Sequence, residues 1–139
     1  MLSGRCLCGA VRFEIDGRLG PVVYCHCSMC RHADGSSFAT NASVRTEEFR
    51  IIRGRELIKE YESSPSNLRA FCSNCGSPIY GTVTELPSIR RVRLGTLDRV
   101  DGAKSLAHIW TGSKSEWFDI TDDLQRFENE PPEQYCAPA

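Results

Sequence analysis

The 139-residue sequence contains no apolar run approaching the roughly 20 residues that span a bilayer. Its start, MLSGRCLCGAVRFEI, also lacks a basic segment followed by a long apolar one. Both absences lead us to expect a soluble, cytoplasmic protein with no signal peptide and no membrane contact. An excess of one charge is missing too. Lys and Arg number 17 against 18 Asp and Glu, for a net charge of -1. No global field therefore draws the chain to nucleic acid or to an anionic membrane, and a nucleic-acid partner is not expected. Internal repeats and linkers are absent. The hydrophobic fraction of 40% is ordinary for a globular chain. A chain of this length buries roughly two-thirds of its unfolded surface, so one domain is expected over 1–130. The Pro-rich end is expected to be a flexible tail over 131–139.

Short strands separated by turn signals dominate the pattern, which predicts a mainly β domain with little helix. In GAVRFEIDG, Val11, Phe13 and Ile15 alternate with polar residues and run into an Asp-Gly turn. PVVYC reads as the return strand. FRIIRG and ELIKEYES read as a hairpin around Gly54, and SSFATNASV as a weaker strand. LRAFC leads into a turn at Cys72, and PIYGTVTEL leads out of it. IRRVRLGTL places Val92 and Leu94 on one face and Arg91 and Arg93 on the other. Thr121, followed by two aspartates, is a candidate cap for a short final helix.

Eight cysteines stand out in so short a chain: Cys6, Cys8, Cys25, Cys27, Cys30, Cys72, Cys75 and Cys136. A disulfide framework is disfavoured because no secretory signal is visible and cytosolic thiols stay reduced. Thiols two or three positions apart would also close small, strained rings as disulfides, whereas they converge easily on one metal ion. The pairs Cys6/Cys8 and Cys72/Cys75 each end in Cys-Gly. A turn that aims backbone N–H groups at sulfur often needs a residue at positive φ, which glycine adopts without steric cost. The two pairs are therefore expected to face each other around one zinc ion. Four thiolates leave no open position, which marks a structural site.

The middle cluster, CHCSMC, has no such glycine and offers Cys25, Cys27 and Cys30 from one loop. Its fourth ligand is open among His26, His32, His108, Cys136, water and a substrate. His26 lies between two ligands, so its ring is expected to point away from the metal. Three protein ligands with an open position is the pattern of catalytic zinc. The spacing alone also permits a second structural site closed by a histidine.

GRCLCGAVRFEI, CHCSMCR, FCSNCGSPIY, LGTLD, HIW and Trp117 together resemble the glutathione-dependent formaldehyde-activating enzyme family, to which centromere protein V also belongs. The resemblance runs from about Gly4 to Phe127. It implies a β-tent fold of antiparallel sheets around zinc. It implies a structural zinc on Cys6, Cys8, Cys72 and Cys75, and a second zinc on Cys25, Cys27 and Cys30 as the catalytic group. The implied activity is that of a carbon–sulfur lyase that joins glutathione, as co-substrate, to formaldehyde, giving S-hydroxymethylglutathione. The partners would then be a small thiol and an aldehyde. Arg31, Arg91, Arg93 and Lys114 are candidate partners for glutathione carboxylates, with solvated surface as the plainer role. Trp110 and Trp117 are candidate pocket walls, with core packing expected for Trp117. His108 is either an acid–base group or a satisfied buried histidine. Two other functions remain open: a non-enzymatic zinc module for protein or nucleic acid, with Arg90, Arg91 and Arg93 as a small basic patch, and a thiol-based redox sensor.

Overall fold

The alternation around Phe13 becomes strand β2 (Arg12–Ile15), which buries Phe13 and Ile15 and exposes Arg12. It is the middle of a three-stranded sheet, between β1 (Leu2–Arg5) and β5 (Phe49–Arg53). The computed structural model describes residues Met1–Ala139 and contains a second, eight-stranded sheet. Its strands are β3 (Val22–Cys25), β4 (Ala39–Arg45), β6 (Ile58–Ser64), β7 (Asn67–Cys72), β8 (Pro78–Val83), β9 (Ile89–Arg93), β10 (Ser105–Ile109) and β11 (Gln125–Arg126). They lie in the order β11-β10-β3-β4-β9-β8-β7-β6. One helix, α1 (Ser28–Asp34), follows β3. The fold is mainly β with little helix, as the pattern predicts.

Most pairings are antiparallel, and one edge is not: β10 runs parallel to both β3 and β11. A parallel partner is reached by a long crossover, so no local turn signal announces it. Three local expectations are also corrected. PVVYC does not return along β2 but enters the other sheet as β3. The hairpin around Gly54 does not form. β5 pairs with β2, placing Phe49 opposite Ile15 and Ile51 opposite Phe13, whereas β6 pairs with β7. Burying Phe49 and the Phe13 ring, stacked at 4.9 Å between centroids, outweighs the local pairing. The final helix at Thr121 is replaced by a turn in which the Leu124 N–H donates to Asp122 Oδ1 at 3.0 Å. An aspartate that bonds its own backbone two residues on competes with helix formation.

The apolar interior has two parts. One packs Val11, Phe13, Ile15, Val44, Ile79 and Val92 together with Cys6 and Cys72. The other packs Val23, Ala39, Ala107 and Ile109 together with Cys25 and Cys30. Each cysteine cluster thus has two of its thiols anchored in a buried region: Cys6 and Cys72 in the first, Cys25 and Cys30 in the second. Within residues 131–139, expected to be flexible, Tyr135 packs edge-on against Phe127 at 5.0 Å beside the second region, and the Cys136 carbonyl accepts from Ser43 Oγ on β4.

Candidate metal centres

The turn after β1 and the turn after β7 meet. The sulfurs of Cys6, Cys8, Cys72 and Cys75 all lie within 4.8 Å of one another. Gly9 and Gly76 stand at φ 76° and 78°, the left-handed region that the Cys-Gly reading anticipates. Their N–H groups donate to the carbonyls of Cys6 and Cys72 at 3.1 and 2.7 Å. Sulfur acceptors are supplied with donors: Val11 N–H reaches Cys6 Sγ at 3.3 Å, and the Asn74 amide reaches Cys8 Sγ at 3.3 Å. The Asn74 amide, with the Ala10 backbone and the Cys6 thiol, holds Cys8 below the usual thiol range. The Cys6–Cys8 and Cys8–Cys72 sulfur separations are 3.5 and 4.0 Å. A tetrahedron with metal–sulfur bonds of about 2.3 Å has edges of about 3.8 Å. The donor set and its spacing therefore fit a four-thiolate metal ion with no open position.

The second cluster is built by the end of β3 and the start of α1. Cys25 closes the strand, Cys27 caps the helix, and Cys30 lies in its first turn. Their sulfurs also lie within 4.8 Å of one another. Cys27 Sγ accepts the Cys30 N–H at 3.3 Å, so the capping bond itself turns this sulfur toward its neighbours. Hydrogen bonds from Cys25 and then Cys30 hold Cys27 far below the usual thiol range, while the same contacts push Cys25 up. Arg69 Nη1 stands 3.6 Å from Cys30 Sγ. Three sulfurs within reach of one ion and beside a guanidinium are a donor set fit for a metal ion.

None of the other candidate ligands joins this trio. His32 Nδ1 is 2.6 Å from the Ser28 carbonyl. His26 does turn away, as expected. It is fully buried among Phe38, Phe118 and His108, and burial followed by the nearby His108 lowers its pKa to about 4. His108 is the satisfied, buried histidine of the two readings, hydrogen-bonded to both His26 and Asp122. Cys136 lies outside both clusters, and burial pushes its thiol up.

The trio opens on a cavity of about 610 Å³, within the roughly 300–1,000 Å³ range of small-molecule sites. Trp110, Arg69, Arg91 and Cys136 also line it. Trp110 adopts φ 56°, an uncommon conformation for a bulky aromatic. The cationic candidates separate. Arg91 lines the cavity, as does Arg69, which the sequence reading passed over because an arginine between Leu68 and Ala70 looks like any solvated strand position. Arg31 donates to the His26 carbonyl and Lys114 to the carbonyls of Ser115 and Phe118. Arg93 is 6% exposed and engaged by Asp34 and Asn41 at 3.2 and 2.6 Å. The polar face of β9 is thus a cavity wall and not a solvated surface. Arg90 lies over the rings of Phe49 and Tyr80, so the three arginines form no open basic patch. Trp117 is 73% exposed, which corrects the expectation that it packs in the core. The segment after the short 3-10 turn Thr111–Ser113 holds no sheet partner until β11, and Trp117 falls in it.

The buried Arg93–Asp34 pair gives a direct test of this wall. Arg93→Ala strands a largely but not fully buried carboxylate, and burial already raises the Asp34 pKa against the pull of Arg93. Breaking such a pair costs about 3 kcal/mol or more. Urea unfolding is expected to show that loss; a change below about 1 kcal/mol would mean that the pair is solvated.

A family model described as glutathione-dependent formaldehyde-activating enzyme matches residues 1–113. The chain belongs to this family. A Halomonas elongata protein assigned the same enzyme name is 28% identical over 128 residues, covering 86% of this chain and 81% of that one. A Schizosaccharomyces pombe protein named only as a lyase is 23% identical over 125 residues, covering 90% of this chain and 89% of that one. A crystal structure of a Rhodobacter sphaeroides protein aligns with a TM-score of 0.61 at 29% identity, covering 72% of this chain and 91% of that one. The formaldehyde-activating family match thus includes both cysteine clusters, whose residues end at Cys75. No helix of the chain is long and apolar enough to cross a membrane.

Proposed function

We propose that this chain is a zinc-dependent carbon–sulfur lyase that joins glutathione to formaldehyde, giving S-hydroxymethylglutathione. The observation that carries the reading is the three-sulfur cluster at the wall of a cavity lined by three arginines, Arg69, Arg91 and Arg93, of which only Arg93 is taken up by a carboxylate of the chain. It is joined by the enzyme name of the family model and of the Halomonas relative. Cys6, Cys8, Cys72 and Cys75 hold a structural zinc, and Cys25, Cys27 and Cys30 hold the second. When bound by three thiolates with a position left open, zinc supplies a Lewis acid and lowers the pKa of an incoming thiol.

The protein's own groups then have separable tasks. Arg69 and Arg91 receive the two carboxylates of glutathione as charge-assisted hydrogen bonds. Trp110 and Ile109 keep an apolar wall beside the sulfurs and limit water. Holding thiol and aldehyde together turns a bimolecular addition into a local one. In that addition the glutathione sulfur forms a bond to the formaldehyde carbon and the carbonyl π bond opens. The thiol proton ends on the oxygen. No electron leaves or enters, so no redox partner is required.

Exchange spectroscopy with ¹³C-formaldehyde and glutathione tests this. Zinc-loaded protein is expected to accelerate interconversion of free and adduct carbon beyond the spontaneous rate. Unchanged exchange, together with no heat of glutathione binding, would sink the lyase reading and favour a binding module. Arg91→Ala is expected to raise the glutathione KM about tenfold, the effect of losing about 1.4 kcal/mol of a charge-assisted contact, with kcat little changed. An equal KM would remove Arg91 from the glutathione site.

A further inference from the structure

His26 separates Cys25 from Cys27, and the chain grips it at three points. Its backbone N–H donates to the Ile109 carbonyl at 2.9 Å, and its carbonyl accepts from Arg31 Nε at 3.3 Å. Its Nε2 lies 2.7 Å from His108 Nδ1. His108 Nε2 lies 2.8 and 3.1 Å from the two carboxylate oxygens of Asp122. A carboxylate only accepts, so His108 carries a proton on Nε2 and, as a neutral ring, offers a bare Nδ1. With both rings neutral, His26 donates from Nε2. The His26 Nδ1 is buried with no partner, consistent with a neutral ring whose single proton is already placed. Each link fixes the tautomer of the next, from the surface inward.

The anchoring of this chain is not local. Asp122 is itself held by the Leu124 N–H, and Arg126 donates to its carbonyl. β10 lies parallel to β3, placing His108 beside Tyr24 and Ile109 beside Cys25. The strand that carries His108 therefore also carries the backbone that pairs with the first thiol of the trio. Both imidazoles are essentially solvent-free, at 0% and 1% exposure. A lost hydrogen bond there is not replaced by water.

We propose that Asp122 and His108 are positioning residues for the cysteine trio: through the His26 ring they fix the backbone between Cys25 and Cys27, and with it the spacing of the three thiols and their hold on a metal ion. This rests on the reading that the trio binds metal. Groups behind a metal's ligands commonly change its affinity about 10–100-fold when removed. The four-thiolate cluster, built on other turns, serves as an internal control.

The test uses the full chain loaded with two equivalents of zinc and mixed with a chromogenic chelator. Wild type is compared with Asp122→Ala and His108→Phe. The Asp122 side chain is 43% exposed, so its removal spares the core. Phenylalanine keeps the ring shape of His108 without its nitrogens. Zinc release from the trio, the faster phase, is expected to accelerate about tenfold in both variants, with the slower phase unchanged. An unchanged fast phase, or equal acceleration of both phases, overturns the proposal, the latter because it reports general loosening. A ¹⁵N spectrum of the histidine rings gives a second reading. One tautomer per ring is expected in wild type and a mixture in Asp122→Ala; a mixture in wild type overturns the chain of donors. Wild type that holds a single zinc would end the metal reading of the trio instead. Positioning is then read from iodoacetamide alkylation of the three thiols in the metal-free protein. That alkylation is expected to be faster in both variants, and equal rates overturn the proposal.

Discussion

Replacing Cys72 with Ala and Cys75 with Ser in the same chain is expected to remove one metal equivalent and the cooperative fold with it. Cys72 is fully buried beside Cys6, Val11 and Ile79, so alanine leaves only a small gap; Cys75 is half-buried and tolerates serine. The side-chain changes alone are therefore minor. The loss of the metal is not. The cluster joins the turn after β1 to the turn after β7, and so ties the three-stranded sheet to the eight-stranded one. Structural zinc contributes an apparent 10–16 kcal/mol or so in small domains, against a whole-domain stability of about 5–15 kcal/mol. Thermal circular dichroism and metal analysis would follow both losses together. A variant that melts within about 5 °C of wild type while lacking one ion would show that packing between the sheets suffices without metal.

The parts of this molecule that could be read in advance are those specified by neighbours in the chain. The Cys-Gly pairs demanded positive φ, and Gly9 and Gly76 have it. Phe13 and Ile15 alternate, and they are buried. Parts specified by distant neighbours could not be read in this way. Arg93 looked like the polar face of a strand, but its partner Asp34 lies 59 positions away on α1. His108 meets His26 across 82 positions, through a parallel pairing that no turn announces. Gly54 looked like a hairpin tip because both flanking strands exist; β5 instead pairs with β2, in a register that stacks Phe13 on Phe49. Trp117 was expected inside on residue type alone, and large size does not guarantee a place in a core. The candidate helix at Thr121 does not form for a local reason, since the Asp122 side chain takes the Leu124 N–H.

Cys27→Ser separates the two cysteine clusters more cleanly than any other single change. Cys27 stands at φ -59° and ψ 149° as the cap of α1, and its sulfur accepts the Cys30 N–H. Serine is among the preferred residues at that position, so its hydroxyl takes over the bond and the helix start survives. What serine cannot reproduce is a thiolate. Hydrogen bonds from Cys25 and Cys30 lower the Cys27 pKa, whereas a serine hydroxyl stays protonated and is a poor ligand for a soft metal site. The expected result is a protein with one metal ion instead of two and a melting temperature within about 5 °C of wild type. If the proposed lyase activity holds, formaldehyde–glutathione exchange falls at least about 100-fold in this variant, since losing groups merely behind a ligand already costs about 10–100-fold. Metal analysis, thermal melting and exchange spectroscopy on one preparation give all three values. Two retained ions with full activity would show that Cys27 is a helix cap and nothing more. One ion with full activity would place the chemistry away from the trio, whereas two ions with lost activity would assign Cys27 to the reaction and not to the metal.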